Sequence, residues 1–320
     1  MTLGIVGAGM IVQEVLPLLA DIETIQVAGI VTREASFHKL APLAATYHIP
    51  HSYRTYGELL ANPDIDTIYI ANYNHLHHDY ARQAIEAGKH VIIEKPMVLH
   101  ASHATQLHKL AKAQQVMVIE AVNLLHLPNY HQLKTLLPQL GEIKLVSCHY
   151  AQYSSRYQRF KAGEILPAFD VTMGGGALMD INIYNLNFIV SLFGLPNRAR
   201  YAANLAAGVD TSGILSLNYD GFQATALGAK DSNGPNVSHI GGELGYLSIS
   251  GPINTMDTVT LHLQGQPPVV YELNHGKHRL YHEFVAFAHL IDQQDHAQVS
   301  ALQTISQQVM EVVDMVRPTS

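Results

Sequence analysis

The sequence predicts an α/β plus α+β protein of two domains. The N-terminal domain rests on a parallel sheet, and the C-terminal one on a large, mainly antiparallel, open-faced sheet. Three observations predict it. Over the first 121 residues, short β-branched runs alternate with amphipathic helical stretches, the pattern of βαβ units. The first such run ends in Gly7-Ala8-Gly9 and passes straight into a helix. From about Ile143 the strands lengthen and alternate polar with apolar side chains, as strands with one solvated face do.

The elements follow in order. Leu3 to Val6 reads as a buried strand and Met10 to Ala20 as a helix. Ile25 to Val31 is the next strand, followed by a helix through Phe37 to Tyr47. Asp66 to Ala71 is a strand, and the helix from about His75 to Ala87 stops at Gly88, which can take the left-handed conformation of a helix end. His90 to Glu94, a helix Ala101 to Gln114 and a strand Val116 to Glu120 complete the parallel part. The boundary falls near Ala121 to Leu127, ahead of Pro128, giving domains 1–121 and 122–320. Beyond it the strands are Lys144–Tyr153, Ser212–Tyr219, Gln223–Ala229, Gly245–Ser250, Thr258–Leu263 and Pro268–Leu273. Helices are expected at Met179–Leu192, Tyr281–Asp292 and Ser300–Val316.

Composition excludes several function classes. With 48% hydrophobic and 14% charged residues the chain is no disordered polyelectrolyte. A net charge of -7 and the lack of any Lys/Arg block argue against nucleic acid as a partner. Cys148 is the single cysteine, so no intrachain disulfide forms, and a buried thiol in a reducing compartment is expected. Met1-Thr2 leads at once into Leu3-Gly4-Ile5-Val6 with no basic leader, and no apolar run approaches the ~18 residues of a membrane span. A cytoplasmic protein that does not engage a membrane is the expectation.

Gly7-Ala8-Gly9, with Met10 and Ile11 opening the helix, has the features of a phosphate site. One glycine makes the tight turn, the next lets backbone approach a pyrophosphate, and the helix N-terminus supplies N–H groups. The third small residue of that fingerprint is replaced by Val12, which should push the helix slightly outward. A turn glycine pair in another kind of α/β protein is the alternative. The second strand ends Val31-Thr32-Arg33, without the carboxylate that would hold a ribose 2′-hydroxyl. A hydroxyl and a guanidinium suit a 2′-phosphate instead, so NADP is the expected cofactor, with NAD left open. Arg33 could equally be a solvated loop charge, partly neutralised by Glu34.

Glu94-Lys95-Pro96 closes its strand where the carboxyl edge of the sheet meets the nicotinamide end of a dinucleotide. With the Gly-Ala-Gly turn, the loop Ala71-Asn72-Tyr73-Asn74-His75-Leu76-His77 and the run Glu86 to Val91, the chain resembles the Gfo/Idh/MocA family of oxidoreductases. The resemblance implies that Lys95 is catalytic. It also implies that Ala71, Asn72, Tyr73, Asn74, His77 and Glu94 lie about the cofactor. Asn72-Tyr73 departs from the family's usual Thr-Pro. Gly174-Gly175-Gly176 resembles the family's entry to its active-site helix, which in most members reads Asp-x-Gly-x-His. Here it reads Asp180-Ile181-Asn182-Ile183-Tyr184. Tyrosine in place of histidine points to the branch resembling dimeric dihydrodiol dehydrogenase and away from the sugar and inositol dehydrogenases, whose chemistry leans on the histidine.

The chemistry so implied is hydride transfer between a nicotinamide and a carbonyl or hydroxyl of a sugar-like or cyclic diol substrate. Tyr184 would give or take the proton. Free tyrosine titrates near ~10, so it needs a cationic partner such as Lys95 to work near neutrality. Asp180 would orient the lysine or the substrate hydroxyl. Tyr184 as an ordinary core tyrosine and Asp180 as a helix cap are the structural alternatives. Tyr150, Tyr153, Arg156 and Tyr157 are candidates for a pocket rim, with Lys161 to Phe169 in the same flap. His75, His77 and His78 do not share one helix face, so no metal is expected. The family also implies a homodimer or a dimer of dimers. A non-catalytic dinucleotide sensor on the same fold is the contrasting reading, though a sensor needs no Lys95, Asp180 and Tyr184 together.

Overall fold

A computed structural model describes residues 1–317 of this chain, which forms two compact units. The first comprises Met1–Ala121 and Leu280–Gln307; the second comprises Val122–Arg279 and, of the described residues, those from Gln308 to Arg317.

The first unit is built on six parallel strands: β1 (Thr2–Val6), β2 (Gln26–Val31), β3 (His51–Tyr53), β4 (Thr67–Ile70), β5 (His90–Glu94) and β6 (Val118–Ala121). Their order is β3-β2-β1-β4-β5-β6. The chain moves outward one way from β1 and then back across it to β4, so a crevice opens at the carboxyl ends of β1 and β4. That crevice is where Gly7 lies: its N–H donates to Val31 O at 2.8 Å, and Ala71 N–H donates to Val6 O at 2.9 Å. The apolar runs of β1, β4, β5 and β6 are buried on both faces, which is why they read as continuous rather than alternating.

Residues 280–307, placed with the second domain by the sequence reading, belong to this unit. The helix Tyr281–Asp292 turns Phe284, Phe287, Leu290 and Ile291 into the same apolar cluster as Leu3, Ile5, Val12, Leu16 and Tyr69. Phe284 meets the Tyr69 ring edge-on at 5.2 Å. Fully burying each such side chain stabilises the fold by about 1.5–3 kcal/mol. The stretch expected as one helix through Phe37–Tyr47 is a 3-10 turn, Glu34–Lys39, followed by a short α-helix, Leu40–Thr46. Strand β3 and the helix Tyr56–Ala61 were not anticipated, although Thr55 and Glu58 form a reciprocal capping box there.

The second unit carries an eight-stranded sheet: β7 (Ile143–Ala151), β8 (Arg198–Ala206), β9 (Val209–Tyr219), β10 (Phe222–Ala229), β11 (Val237–Gly242), β12 (Gly245–Ser250), β13 (Thr258–Leu263) and β14 (Val269–Tyr271). Its order is β14-β13-β12-β11-β7-β10-β9-β8, antiparallel except where β10 runs parallel to β7. One face buries Val146, Cys148, Leu215, Leu217, Ala226 and Leu247. The helix Ile183–Phe193 packs on β7 and β10, and Asn182 and Asn185 donate to the carbonyls of Ala226 and Leu227, each at 2.9 Å. Residues that alternate with these, such as Ser147, Thr225, Ser216 and Ser248, line the open face. The stretch Val171–Phe193 reaches a mean hydropathy of 1.2, higher than the sequence reading allowed for. Yet 78% of that window is buried inside the protein, the pattern of a core helix.

Candidate active site

In the first unit, Gly7 has φ +129°, and a Cβ there would stand 2.6 Å from the Ala71 carbonyl oxygen, so only glycine closes this turn. Gly9 is the N-cap of the helix Met10–Ala20 and caps it with no side chain; a Cβ on Gly9 would meet nothing within 4 Å. No acidic residue occupies the first turn. The helix therefore presents backbone N–H groups and the positive end of its dipole to an open approach, which suits a diphosphate. Val12 is fully buried, its Cγ2 3.5 Å from where a Gly7 Cβ would sit, so it packs the helix at ordinary contact distance.

Arg33 is exposed just beyond β2, its guanidinium 4.6 Å from the centroid of the Tyr73 ring. Two residues expected on the cofactor thus meet each other across the β1–β4 crevice. Asn72 is more telling. Its Oδ1 and Nδ2 are both buried, and neither has a hydrogen-bond partner among the described residues. A buried amide left unsatisfied costs about 1–3 kcal/mol, and polar groups of a bound dinucleotide would remove that cost.

His77 is fully buried and braces this loop rather than facing outward. Its Nδ1 lies 2.9 Å from the Pro96 carbonyl oxygen and its Nε2 3.4 Å from that of Asn72. Burial lowers its pKa to about 4, so the ring is neutral and donates from one nitrogen only. The loop after β4 is thereby tied to the Glu94-Lys95-Pro96 turn, whose Lys95–Pro96 bond is cis. Glu94 accepts from the Tyr69 hydroxyl, and Glu120 accepts from Met97 N–H at 2.8 Å. Burial raises the Glu120 pKa. No local motif marks Tyr69 or Glu120, because their link to the turn is made across neighbouring strands.

In the second unit, the three glycines earn their place by close packing. A Cβ on Gly175 would lie 2.5 Å from the Pro167 carbonyl oxygen, and one on Gly176, at φ +111°, would fall inside the Asp210 carboxylate. Asp210 accepts from Leu178 N–H at 2.7 Å and from the Tyr201 hydroxyl at 2.8 Å, anchoring the start of the helix. That start is not α-helical as expected from Met179: Leu178–Asn182 is a π turn that passes into the α-helix Ile183–Phe193. Such turns recur at functional sites, and this one carries Asp180.

Asp180 pairs with Lys230, Oδ2 to Nζ at 2.7 Å. Lys230 was missed by the sequence reading; it stands alone at the end of a strand with no motif around it. Its side chain is 1% exposed whereas that of Asp180 is 37% exposed. The Lys230 Nζ also donates to the Ala168 carbonyl and lies 4.3 Å from the Phe169 ring centroid. Tyr184 follows one turn after Asp180 and is 8% exposed, its ring 6.0 Å from that of Tyr150. Of the proposed rim, Tyr153 and Tyr157 meet edge-on, and Tyr157 continues through Phe160 and Phe169 as one aromatic cluster. Among the described residues, no group of three or more His, Cys, Asp or Glu is placed to hold a metal.

Residues 1–122 match the family described as "Oxidoreductase family, NAD-binding Rossmann fold", and residues 130–248 match the "GFO/IDH/MocA C-terminal domain". Over 248 residues the chain is 35% identical to scyllo-inositol 2-dehydrogenase (NADP(+)) IolU of Bacillus subtilis, covering 77% of this chain and 74% of that one. The chain belongs to the Gfo/Idh/MocA family. A second relative, trans-1,2-dihydrobenzene-1,2-diol dehydrogenase of Xenopus tropicalis, is 28% identical over 254 residues, 77% of this chain and 74% of that one. In fold, the chain is similar to KijD10, a 3-ketoreductase from Actinomadura kijaniata in complex with NADP and TDP-benzene. The TM-score is 0.83 at 21% identity, covering 99% of this chain and 98% of the other. As a member of this family the chain is an oxidoreductase with a dinucleotide-binding Rossmann domain.

Proposed function

We propose that the chain is an NADP-preferring dehydrogenase or reductase acting on a ring hydroxyl, or the matching ketone, of a sugar-like or cyclic diol substrate. The observation that carries this reading is the Asp180–Tyr184 turn: a carboxylate held by a buried ammonium, followed one turn later by a nearly buried phenol. A helix cap and a core tyrosine would need no buried lysine. The named activities of the relatives, on an inositol and on a dihydrodiol, share the vicinal ring hydroxyls such a pair would bind.

The bound dinucleotide supplies or accepts the hydride. Gly7, Ala8, Gly9, Met10 and Ile11 hold its diphosphate, Thr32 and Arg33 its 2′-phosphate, and Asn72, Tyr73 and Asn74 the ribose near the nicotinamide, with Ala71, His77 and Glu94 shaping that loop and turn. Tyr184 gives a proton to the substrate oxygen during reduction and takes it during oxidation. Lys95 supplies the positive field that favours the phenolate, and Asp180 accepts a hydrogen bond from a neighbouring hydroxyl. The preference for NADP rests on Thr32 and Arg33 directly following β2, where a carboxylate would repel the 2′-phosphate.

A cytoplasmic homodimer completes the reading. Cys148 is buried and unpaired in a disulfide, as suits a reducing compartment. The open face of the second sheet, lined by serines, threonines and apolar side chains such as Leu145, Ile214 and Val237, would be covered by a second copy. Fluorescence titration with NADPH and NADH, followed by assay against inositols, aldoses, dicarbonyls and cyclic diols, tests the function. Light scattering on the purified chain tests the dimer.

A further inference from the structure

We propose that Lys230 is a positioning residue of this site: it aims the Asp180 carboxylate and ties the segment 157–173 to the helix that bears it. The proposal rests on the reading of Asp180 as a substrate-facing group. Lys230 leaves β10 immediately after Ala229, and its backbone is fixed on both sides: its N–H donates to Thr211 O and its carbonyl accepts from Ser154 N–H, both at 2.8 Å. The side chain runs inward to three partners on two different stretches of chain. These are Asp180 Oδ2 at 2.7 Å, the Ala168 carbonyl, and the face of Phe169 at 4.3 Å. Two hydrogen bonds and one cation–π contact use an ammonium's directions well.

The energetics argue against a purely structural part. Replacing a buried ion pair by apolar side chains of similar volume is often neutral or stabilising, so folding alone gives little reason to bury this ammonium. What the pair does achieve is orientation. One oxygen of Asp180 is sealed against Lys230 while more than a third of the side chain remains open to solvent. The same ammonium seats Phe169, on which Phe160 stacks at 4.6 Å and against which Tyr157 tilts at 5.8 Å. From there the chain returns to Asp180 through Gly175, which packs beneath Pro167 and Ala168 so tightly that no side chain fits. Carboxylate and aromatic segment thus share one anchor.

A double-mutant cycle with Asp180 separates positioning from bulk stability. The probe is whichever of scyllo-inositol and trans-1,2-dihydrobenzene-1,2-diol the wild-type chain oxidises faster with NADP+. Lys230→Met should lower kcat/KM at least 10-fold, leave the Kd for NADPH within twofold, and speed amide hydrogen exchange across 157–173. Lys230→Arg should restore part of the rate. In an Asp180→Asn background, Lys230→Met should cost less than about threefold more. Losses that multiply, or a Lys230→Met enzyme within twofold of wild type, would overturn the proposal. If Lys230→Met does not melt cooperatively, Lys230→Arg carries the cycle. If wild type oxidises neither probe, the functional reading fails on its own, and exchange across 157–173 decides the tie: faster exchange in the variant supports it and unchanged exchange refutes it.

Discussion

The guanidinium of Arg33 lies 4.6 Å above the ring of Tyr73, so the residue that follows β2 and the loop that follows β4 meet at the mouth of the crevice. A stacked guanidinium keeps its outer N–H groups available for a phosphate while the ring limits its freedom. Arg33→Ala should therefore weaken NADPH roughly 10–100-fold, the loss of one charge-assisted pair, and leave NADH within about threefold. Tyr73→Ala should give a smaller loss in the same direction. Fluorescence titration of each variant with both nucleotides reads both effects; equal losses for NADPH and NADH would remove Arg33 from the 2′-phosphate.

Asn72 has a buried amide with no hydrogen-bond partner among the described residues. Asn72→Leu should accordingly leave the apo-protein as stable as wild type or slightly more so, because an unsatisfied polar group is replaced by an apolar one. The same change should weaken the dinucleotide about 10-fold or more. Thermal melts with and without NADPH report both numbers; a destabilised apo-protein with unchanged affinity would contradict the assignment.

His77 gives a pH dependence with a definite sign. Burial moves its pKa from 6.5 to about 4, so between those values the unfolded chain binds a proton that the folded chain refuses. The stability this contributes is fully present above about pH 6.5 and is lost as pH falls toward 4, on the order of 3 kcal/mol at most. Burial holds His108 near 4 as well, adding a loss in the same window. Melting temperature should decline from pH 7 to pH 4.5, and His77→Gln, which keeps a donor for Pro96 but cannot titrate, should decline less steeply. Identical slopes would show that His77 does not carry the effect.

Gly176→Ala should destabilise the second unit by about 1–3 kcal/mol, since the new methyl meets the Asp210 carboxylate and the backbone stands at positive φ. A melting temperature unchanged from wild type would mean the Asp210 anchor yields easily.

The parts of this molecule legible in the sequence are those encoded by local pattern. Gly7-Ala8-Gly9, Glu94-Lys95-Pro96 and the Asp180-to-Tyr184 spacing each lie within a few residues, and the strands buried on both faces announce themselves as apolar runs. What escaped is made by distant residues. Lys230 and Asp180 are 50 positions apart and meet only because β10 runs beside the helix that follows the glycines. Strand β3 is three residues of mixed polarity at a sheet edge, and β8 is largely exposed, so neither carries a burial signal. The helix Tyr281–Asp292 has a plain apolar stripe, but no local feature says which sheet that stripe will cover.

The most direct measurement is the absorbance of NADPH formed when the purified chain is mixed with NADP+ and a cyclic polyol. Scyllo-inositol and trans-1,2-dihydrobenzene-1,2-diol serve as the first substrates, with wild type and Tyr184→Phe run side by side. Wild type should generate NADPH faster than it generates NADH from NAD+. Tyr184→Phe should bind NADPH as wild type does yet turn over roughly 100- to 10,000-fold more slowly, the usual worth of a proton-transfer group. Turnover unchanged in Tyr184→Phe, or a wild-type protein that binds NADPH and oxidises no polyol, would contradict the proposed chemistry.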